Sequence, residues 1–385
     1  MGALLTTSSK MRPSCLLLLL VAATAAIADG NSYDFGGHSK LRLLAQGYPD
    51  DSLFRDLIGT NSIDGAGELR LNSSAKNDKW SLHADYQLIA INSDFLAAGL
   101  PGDDSRLFDL TSVLHDSDKN AVLHRLDRFW VGYAGEKTVV RFGRQALSWG
   151  NGLLYAPMDL VNPFDPATID TEYKTGDDML YVQYLRDGGD DVQGAVVFRR
   201  NVLTGDVESD EATIALKYHG FAGEHEYDVL VAESYGDTVV GVGHVRSIGG
   251  AVWRGDVVVT DSNDDTYIEL VTNLSYSWVW GTRNMSGAVE YYYDGFDRHY
   301  VAGSLAIEMS PLWMLTPTVL SNVNDPSGLL QIVTQYSLSD DMTFLGSLNI
   351  PLGANGTEFG GPDSGVPGRY LSTDVGVFAQ LAWYF

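Results

Sequence analysis

Apolar and polar residues alternate with a period of two along much of this chain. Between Trp80 and Leu88, even-numbered positions are apolar or aromatic and odd-numbered positions are polar. The same alternation recurs at 268–276, 287–291, 301–309 and 375–385. Successive side chains of an extended strand point to opposite faces, whereas a helix would show a period of about 3.6. The pattern therefore predicts an all-β protein whose strands have one apolar face.

Strand length favours one class of β protein. Segments of about ten residues with an apolar and a polar face are what a transmembrane β-barrel requires, because lipid lies outside it and water inside. β-Sandwich strands are usually shorter, about 5 to 6 residues, and no fixed repeat period indicates a β-helix. We predict a transmembrane antiparallel up-and-down β-barrel of about 18 strands, with a count of about 16 as the alternative.

The predicted connections fall into two classes. Every second connection is short, as at 135–137 and 247–249. All long connections lie on the other side of the barrel, at 47–63, 90–123, 147–177 and 351–371. Short periplasmic turns and longer outer loops are expected of outer-membrane barrels. Apart from Trp149, the tryptophans lie near or toward the short turns, as in an interfacial aromatic girdle.

The N-terminal residues predict secretion. Two basic residues precede an apolar run that begins at Cys15, and a small-residue cleavage site ends at Ala28. This arrangement is typical of a secretory signal peptide. We therefore predict a signal peptide at 1–28 and a barrel at 29–385. The apolar run is shorter than the ~20 residues that a membrane helix needs.

Composition excludes two classes of protein. The chain has 50 acidic and 25 basic residues and a formal net charge of −25, which excludes nucleic acid as a partner because too few cations would face the phosphates. Hydrophobic residues make up 45% of the chain, so a disordered acidic chain is excluded as well. The expected partners are outer-membrane lipid and lipopolysaccharide, the barrel assembly machinery, a small polar solute or saccharide and, in one alternative, a periplasmic protein.

The last predicted strand ends at Phe385, with Leu381 and Trp383 on the same face. This ending resembles the terminal aromatic signature of Gram-negative outer-membrane barrels, which the barrel assembly machinery recognises. The resemblance implies that Phe385 is an assembly signal and that the protein resides in the outer membrane after signal-peptide cleavage near Ala28. The alternative is an ordinary apolar strand end.

The stretch from Arg141 to Pro166 contains the pattern GRQxxSWG followed by MDxxNPFDP. It resembles a segment of alginate-export-type barrels and of related, largely uncharacterised porin-like families. The resemblance covers this stretch alone and implies a barrel in which the segment lies near the pore. The chain departs from an alginate exporter because it lacks a dense set of lumen arginines, which argues against an alginate-like polyanion as the substrate.

The residues of this stretch predict that the connection 147–177 folds into the lumen. Its aromatic side chains offer stacking surfaces and its polar side chains offer hydrogen bonds to a solute or saccharide. In the alternative, its Asn-Pro and Asp-Pro pairs form turns and its aromatics pack the connection against the wall. The candidate lumen and constriction residues are Arg141, Arg144, Gln145, Trp149, Asn151, Tyr155, Asp159, Asn162, Phe164 and Asp165.

Alternation also assigns charged residues to the lumen. Basic positions concentrate in the first seven predicted strands and acidic positions in the last eleven. This distribution predicts a positive wall opposite a negative wall, with a transverse electric field between them. The lumen charges with most weight are Arg42, Arg70, Arg199, Glu269, Glu290 and Glu308, and the same alternation also places His83, His244, Arg246 and Arg254 in the lumen.

Enzymatic motifs are lacking. The sequence contains neither HExxH nor GxSxG, the motifs of zinc and serine hydrolases, so we predict no catalytic residue, no cofactor and no metal site. The acidic run 261–265 lacks the central Gly of a calcium loop and is expected to be solvated, with loose binding of divalent cations as the alternative.

The sequence thus predicts an outer-membrane channel or porin-like protein for diffusion or ligand-selective passage of small polar solutes or saccharides. The alternatives are an exopolysaccharide export barrel that works with periplasmic partners, a structural surface barrel with a plugged lumen, and a barrel enzyme.

Overall fold

The computed structural model describes residues 32–96, 99–100, 102–263 and 265–385. The predicted signal peptide, 1–28, lies outside the described residues. The strands are β1 (Ser32–Gly47), β2 (Asn61–Lys76), β3 (Trp80–Asn92), β4 (Thr111–Asp116), β5 (Asn120–Ala134), β6 (Thr138–Gln145), β7 (Asp177–Leu185), β8 (Asp191–Val197), β9 (Thr213–Ala222), β10 (His225–Ser234), β11 (Asp237–Ile248), β12 (Ala251–Asp261), β13 (Thr266–Trp280), β14 (Arg283–Tyr293), β15 (His299–Ser310), β16 (Trp313–Asn322), β17 (Ser327–Ser337), β18 (Met342–Leu352) and β19 (Gly376–Tyr384).

Short helical elements occupy the connections. Helix α1 spans Leu53–Ile58 and begins after Ser52, whose side chain accepts the backbone N–H of Phe54. A 3₁₀ turn spans Ser209–Glu211. Neither helix, nor any other helix of the described ranges, is long and apolar enough to cross a membrane.

The strands form one antiparallel sheet that closes on itself. Strand β1 pairs with both β2 and β19, and its pairing with β19 runs from His38 to Gln46. Every strand except β4 occupies a place in the wall in sequence order. The described chain is therefore a closed up-and-down barrel of eighteen wall strands, and the predicted fold class and strand count are confirmed.

Strand β4 is an addition to the wall that the sequence did not predict. Strand β5 pairs with β4 over Ala121–Arg125 and with β6 over Phe129–Ala134. Strand β4 therefore continues the wall beyond the end of β6, on the side of the long connections. Its six residues are too few for alternation to mark a strand within the predicted loop 90–123.

The two faces of the wall differ in polarity as predicted. On β1, the outward side chains of Leu41 and Leu43 are 63% and 58% exposed, whereas the inward side chain of Lys40 is 1% exposed. Outward apolar side chains recur on the other strands, as at Val242 and Val289. An apolar outer band around a polar interior is the arrangement of a transmembrane barrel.

The predicted orientation of two side chains on β11 is wrong. His244 and Arg246 point outward rather than into the lumen. Arg246 lies opposite Trp253, and the rings of His244 and Trp253 have centroids 5.1 Å apart. Valines occupy both faces of β11, so alternation alone does not show which face is inside. The inner face is apolar here because it packs against Met158, which a side chain at Gly241 would touch at 3.3 Å.

Candidate functional site in the barrel lumen

The connection between β6 and β7, residues 146–176, carries the contacts of the candidate site and is called the β6–β7 segment. Gly150 has a φ of 97°, a backbone conformation that favours glycine. Pro157, Pro163 and Pro166 remove backbone donors, so the segment cannot pair as a strand. Its backbone and side chains bond instead to inward-facing residues of the wall.

An apolar cluster anchors the first half of this segment to the inner face of β7 to β12. The cluster includes Leu147, Trp149, Met158 and Val161 of the segment. Their wall partners are buried side chains such as Met179, Tyr181, Ala195, Val197, Ala215, Leu230, Ala232, Val239 and Val258. Burial of these side chains stabilises the position of the segment by about 25 cal/mol for each Å² removed from water.

Inward carboxylates of β10, β12 and β14 form an acidic wall, defined by Asp228, Asp256 and Glu290. Glu290 accepts the backbone N–H groups of Leu153, Leu154 and Tyr155 at 2.6, 2.9 and 2.9 Å. A carboxylate that receives several N–H groups forms charge-assisted hydrogen bonds, which are about twice as strong as neutral ones. The acidic wall therefore binds backbone donors of the segment.

Asn151 makes a second attachment to the acidic wall. Its backbone N–H donates to Asp256 Oδ2 at 2.7 Å, and its side-chain amide donates to Asp256 Oδ1 at 2.7 Å and to Asp228 at 3.3 Å. The Asn273 amide donates to the Asn151 carbonyl at 3.0 Å. Asn151 is thus bonded from both its backbone and its side chain.

Aromatic stacking adds to these hydrogen bonds. The ring of Tyr155 stacks on Tyr292 with centroids 4.6 Å apart and an interplanar angle of 12°, and it contacts Tyr300 at 5.3 Å. Burial raises the pKa of Tyr155 above the ordinary tyrosine value, and the nearby Glu358 and Glu290 carboxylates add to the effect. Tyr155 therefore stays neutral and serves as a packing surface.

The opposite side of the lumen carries a basic wall, defined by Lys40 and Arg42 of β1 and Arg70 of β2. Asp170 of the segment accepts from Lys40 at 2.8 Å and from Arg42 at 3.3 Å, and Glu172 pairs with Lys40 at 2.7 Å. The segment thus presents carboxylates to the basic wall and backbone N–H groups to the acidic wall. The segment thus offers hydrogen-bond donors to the acidic wall and negative charge to the basic wall.

Asp170 is an ionised partner of this wall. Burial would raise its pKa, but the hydrogen bond and the charge of Lys40 outweigh burial and hold the pKa below the ordinary aspartate value. Nearby, the guanidinium of Arg70 lies over the ring of Tyr173, 4.1 Å from its centroid, as in a cation–π contact.

An internal ion pair holds the two halves of the segment together. Lys174 donates to Asp159 Oδ2 and to the Leu147 carbonyl, both at 2.5 Å. Burial raises the pKa of Asp159 and lowers that of Lys174. The Lys174 carbonyl accepts in turn from Arg128, which ties this pair to β5.

A cavity of about 360 Å³ remains between the segment and the basic side of the wall. Its polar lining includes Arg125, Asp127 and Gln87 as well as the basic wall. Arg125 donates to Gln87 at 2.6 Å, and Arg70 donates to Asp127 at 2.9 Å. The cavity presents both signs of charge at close range, so it can solvate a polar solute.

Sequence reasoning missed the charged residues of β5 in this region. The pairing of β3 with β5 shifts between Asp85 and Tyr86, so that Asp127 is an extra residue. This bulge turns both Asp127 and Arg128 inward, although they are consecutive in sequence. The charge run HRLDR at 124–128 was the available signal, because charged residues at consecutive positions do not fit an undisturbed strand with a lipid-facing side.

The prediction that Arg144 lines the lumen is wrong. Arg144 lies opposite Asp178 on the outward face, where it bonds to Asp178 Oδ1 and Asp103 Oδ1, both at 2.9 Å. Residues 103–108 cover this ion pair, with the Phe108 carbonyl accepting from Arg144 at 2.6 Å. Outward residues beyond the lipid level can be polar when a loop covers them, which alternation does not reveal.

The other candidates of the segment make structural contacts. Trp149 donates its indole N–H to Gln193 at 2.7 Å, and Asn162 has a φ of 50° and donates to the Thr175 carbonyl at 3.5 Å. Asp165 accepts the N–H of Ala167 at 2.7 Å, as in an Asx turn. Phe164 is 36% exposed, and Gln145 is buried, with its amide 3.4 Å from the Met179 carbonyl.

The predicted lumen charges fall into paired and unpaired groups. Arg199 is bonded to Asp177 at 3.0 Å. Arg141 has no carboxylate partner among the described residues and instead faces the rings of Trp130 and Tyr181 at 5.5 and 4.7 Å. Two acidic residues make contacts with wall residues rather than with the segment. Glu269 accepts from Tyr292 at 2.5 Å and Glu308 accepts from Asn284 at 2.6 Å.

His83 points into the lumen as predicted, where it stacks on Trp130 with centroids 5.4 Å apart. Arg254 donates to Ser275 at 3.0 Å. Within the described ranges, no group of three or more His, Cys, Asp or Glu side chains is arranged to hold a metal ion.

The sequence matches no family model and no curated protein. Solved structures share the fold at low identity. Wzi, an outer-membrane protein involved in group 1 capsule assembly in Escherichia coli, superposes with a TM-score of 0.55 at 10% identity over 96% of this chain and 87% of Wzi. OccAB4 of Acinetobacter baumannii gives 0.53 at 9% identity over 92% and 98% of the two chains. A BenF-like porin from Pseudomonas fluorescens gives 0.53 at 7% identity over 92% and 98%. The chain shares with these proteins the fold of an outer-membrane β-barrel.

Proposed function

We propose that this chain is a porin-like channel of the Gram-negative outer membrane, in which the β6–β7 segment narrows the lumen and small polar solutes or saccharides pass. The observation that carries the proposal is the attachment of one segment to both the acidic and the basic wall. A segment bonded to Glu290 on one side and to Lys40 on the other has to cross the lumen between them. It reduces the opening, and a cavity beside Arg125 remains between the segment and the wall.

The charges suggest the kind of solute. Carboxylates and guanidinium groups alternate around the cavity, so a neutral polar or zwitterionic solute would find partners of both signs. A polyanion such as alginate would be repelled by Glu68, Asp127 and Asp170, the carboxylates that line the cavity. We therefore extend the resemblance to alginate-export-type barrels to the position of the segment and not to the substrate.

Location and assembly complete the proposal. The apolar outer band would contact outer-membrane lipid and lipopolysaccharide, after removal of residues 1–28 as a signal peptide. Phe385 would serve as the signal for the barrel assembly machinery. Its backbone exchanges hydrogen bonds with Gly37 at 2.9 and 3.0 Å, while its side chain stays 49% exposed and thus accessible to that machinery.

A second candidate function is a plugged, saccharide-binding surface barrel. The observation that favours it is the number of attachments on the segment, which would hold it in place and stop flow. Wzi is described as a carbohydrate-binding β-barrel, and the stacked Tyr155 and Tyr292 rings provide an aromatic surface of the kind that saccharides use.

Planar-bilayer recording distinguishes the two functions. Protein folded in detergent should show a heat-dependent mobility shift in SDS gels, because a closed strand ladder resists detergent at room temperature. The same preparation should then give unitary current steps with an ohmic voltage dependence. Absence of current from a heat-modifiable preparation would contradict the channel and favour the plugged barrel.

A further inference from the structure

The outer face of the wall carries a groove that the lumen function does not use. It lies across β13 to β16 and has a volume of about 500 Å³. Outward side chains that line it are Leu274, Tyr276, Trp278, Val289, Leu305, Pro317 and Val319. The groove is therefore an apolar depression on the surface that faces lipid in the proposed channel.

Two glycines form the floor of this groove. Gly287 and Gly303 occupy outward positions on neighbouring strands, next to Leu305 and Val289 in the register. A side-chain carbon at Gly303 would have no heavy atom within 4 Å. Pro317 lacks a backbone donor, and the pairing of β15 with β16 is interrupted between Thr318 and Leu315. The missing side chains and the interrupted ladder explain the depression.

A cation stands at the end of the groove nearest the short turns. Arg283 begins β14 on the same outward face as Gly287, and four residues of strand span about 13 Å. Its guanidinium contacts Met309 Sδ at 3.5 Å, and it forms no ion pair with any carboxylate in the described ranges. Trp280 lies directly opposite Arg283 in the register and is 73% exposed.

An exposed arginine beside tryptophan at the membrane boundary attracts an anionic headgroup, while an apolar groove above it accepts an acyl chain. The short-turn end corresponds to the periplasmic leaflet if the barrel lies in the outer membrane as proposed. Arg283 thus lies where the headgroup of a lipid would lie, and the groove lies where its acyl chain would lie.

We propose that this surface is a binding site for a phospholipid of the periplasmic leaflet, with its phosphate at Arg283 and an acyl chain over Gly287 and Gly303. The site rests on the proposed membrane location but not on conduction through the lumen. A second copy of the chain is the competing occupant, and it would fill the groove with a side chain and leave Arg283 without an anion.

Native mass spectrometry of the full chain in detergent, with phosphatidylglycerol added, tests the site. The parent should retain one phospholipid in a long-lived complex. Gly303→Leu should weaken retention about tenfold. This is the effect expected when roughly two methylene groups of the acyl chain are no longer buried in the groove. Gly67→Leu is the matched control, because it adds the same side chain on the outward face of β2 with ordinary contacts to Leu41.

The headgroup end has its own matched pair. Arg283→Gln should reduce retention, whereas Arg246→Gln should leave it unchanged. Arg246 also faces Trp253 on the outer surface, but its strand β11 does not line the groove. Equal retention by Gly303→Leu and Gly67→Leu, or dimer masses that disappear in Gly303→Leu, would overturn the lipid site. Bilayer current of the parent reports separately on the channel proposal, and Gly303→Leu should keep that current.

Discussion

The carboxylate of Glu290 accepts the backbone N–H of Tyr155 at 2.9 Å, although the two residues lie 135 positions apart in the chain. The same carboxylate accepts two further N–H groups, from Leu153 and Leu154. One inward side chain of β14 thus fixes the course of the β6–β7 segment. Removal of the Glu290 side chain leaves three backbone N–H groups that must bond to water instead.

Glu290→Ala should release this part of the segment. Loss of three charge-assisted hydrogen bonds weakens the attachment by about 3 kcal/mol or more, so single-channel recordings should show a larger or noisier open current. Glu308→Ala is the control, since Glu308 is also an inward carboxylate but bonds to Asn284 rather than to the segment. The same change in both variants would indicate a general charge effect and contradict the attachment.

Conductance should rise at low pH through Asp170. Because Lys40 lowers the pKa of Asp170 in the docked state, docking is complete above the ordinary aspartate value of 3.8 and weakens as the pH falls through the lowered value. A pH titration of single-channel current checks this direction. Asp170→Asn should remove much of the response, whereas Asp165→Asn, in an Asx turn of the same segment, should keep it.

Ion selectivity should depend more on Arg141 than on Arg199. The field of Arg199 is neutralised at short range by Asp177, while Arg141 faces aromatic rings and has no carboxylate partner among the described residues. Arg141→Gln should therefore shift the reversal potential in a salt gradient toward cations, most clearly at low ionic strength. An equal or larger shift for Arg199→Gln would show that pairing does not govern the field.

The free energy of unfolding should depend on Arg144, which lies outside the lumen. Arg144→Ala leaves Asp178 buried without its cation, whereas Asp103 keeps Arg106 at 2.6 Å. The uncompensated buried carboxylate costs about 3–5 kcal/mol of unfolding free energy. Arg55→Ala is the control, because Arg55 pairs with an exposed Asp50, and such pairs contribute about 0–1 kcal/mol. Thermal unfolding in detergent compares the two variants, and similar midpoints would contradict a structural role for the covered ion pair.

The strands were predictable because each wall strand carries the polarity of its two surroundings in its own sequence. The side of the wall to which a side chain points was less predictable where the alternation of polar and apolar residues failed. At β11 both faces are apolar, since the inner one contacts Met158, and at Asp127 a bulge shifts the alternation. Strand β4 exists because β5 extends beyond β6, a relationship that its own six residues do not encode.

The attachments of the β6–β7 segment were beyond sequence reasoning for a different reason. Its partners lie as far as 212 positions away, as for the hydroxyl of Tyr384 and the carboxylate of Glu172. Barrel closure alone brings these residues together. The sequence predicts two opposed walls of charge, because consecutive strands are neighbours in an up-and-down barrel, and the field between those walls stays a prediction. It did not indicate that the segment supplies carboxylates to one wall and backbone donors to the other.

Single-channel conductance of a variant that lacks Asn151–Thr175 tests the constriction most directly. Gln145 and Asp177 are register partners on neighbouring strands, so the remaining residues suffice to join them without disturbing the wall. Deletion of the exposed tip 202–206 in another connection serves as the control. We expect the first deletion to raise the conductance severalfold and the second to leave it unchanged. Parent-like conductance in a heat-modifiable barrel without Asn151–Thr175 would contradict the account.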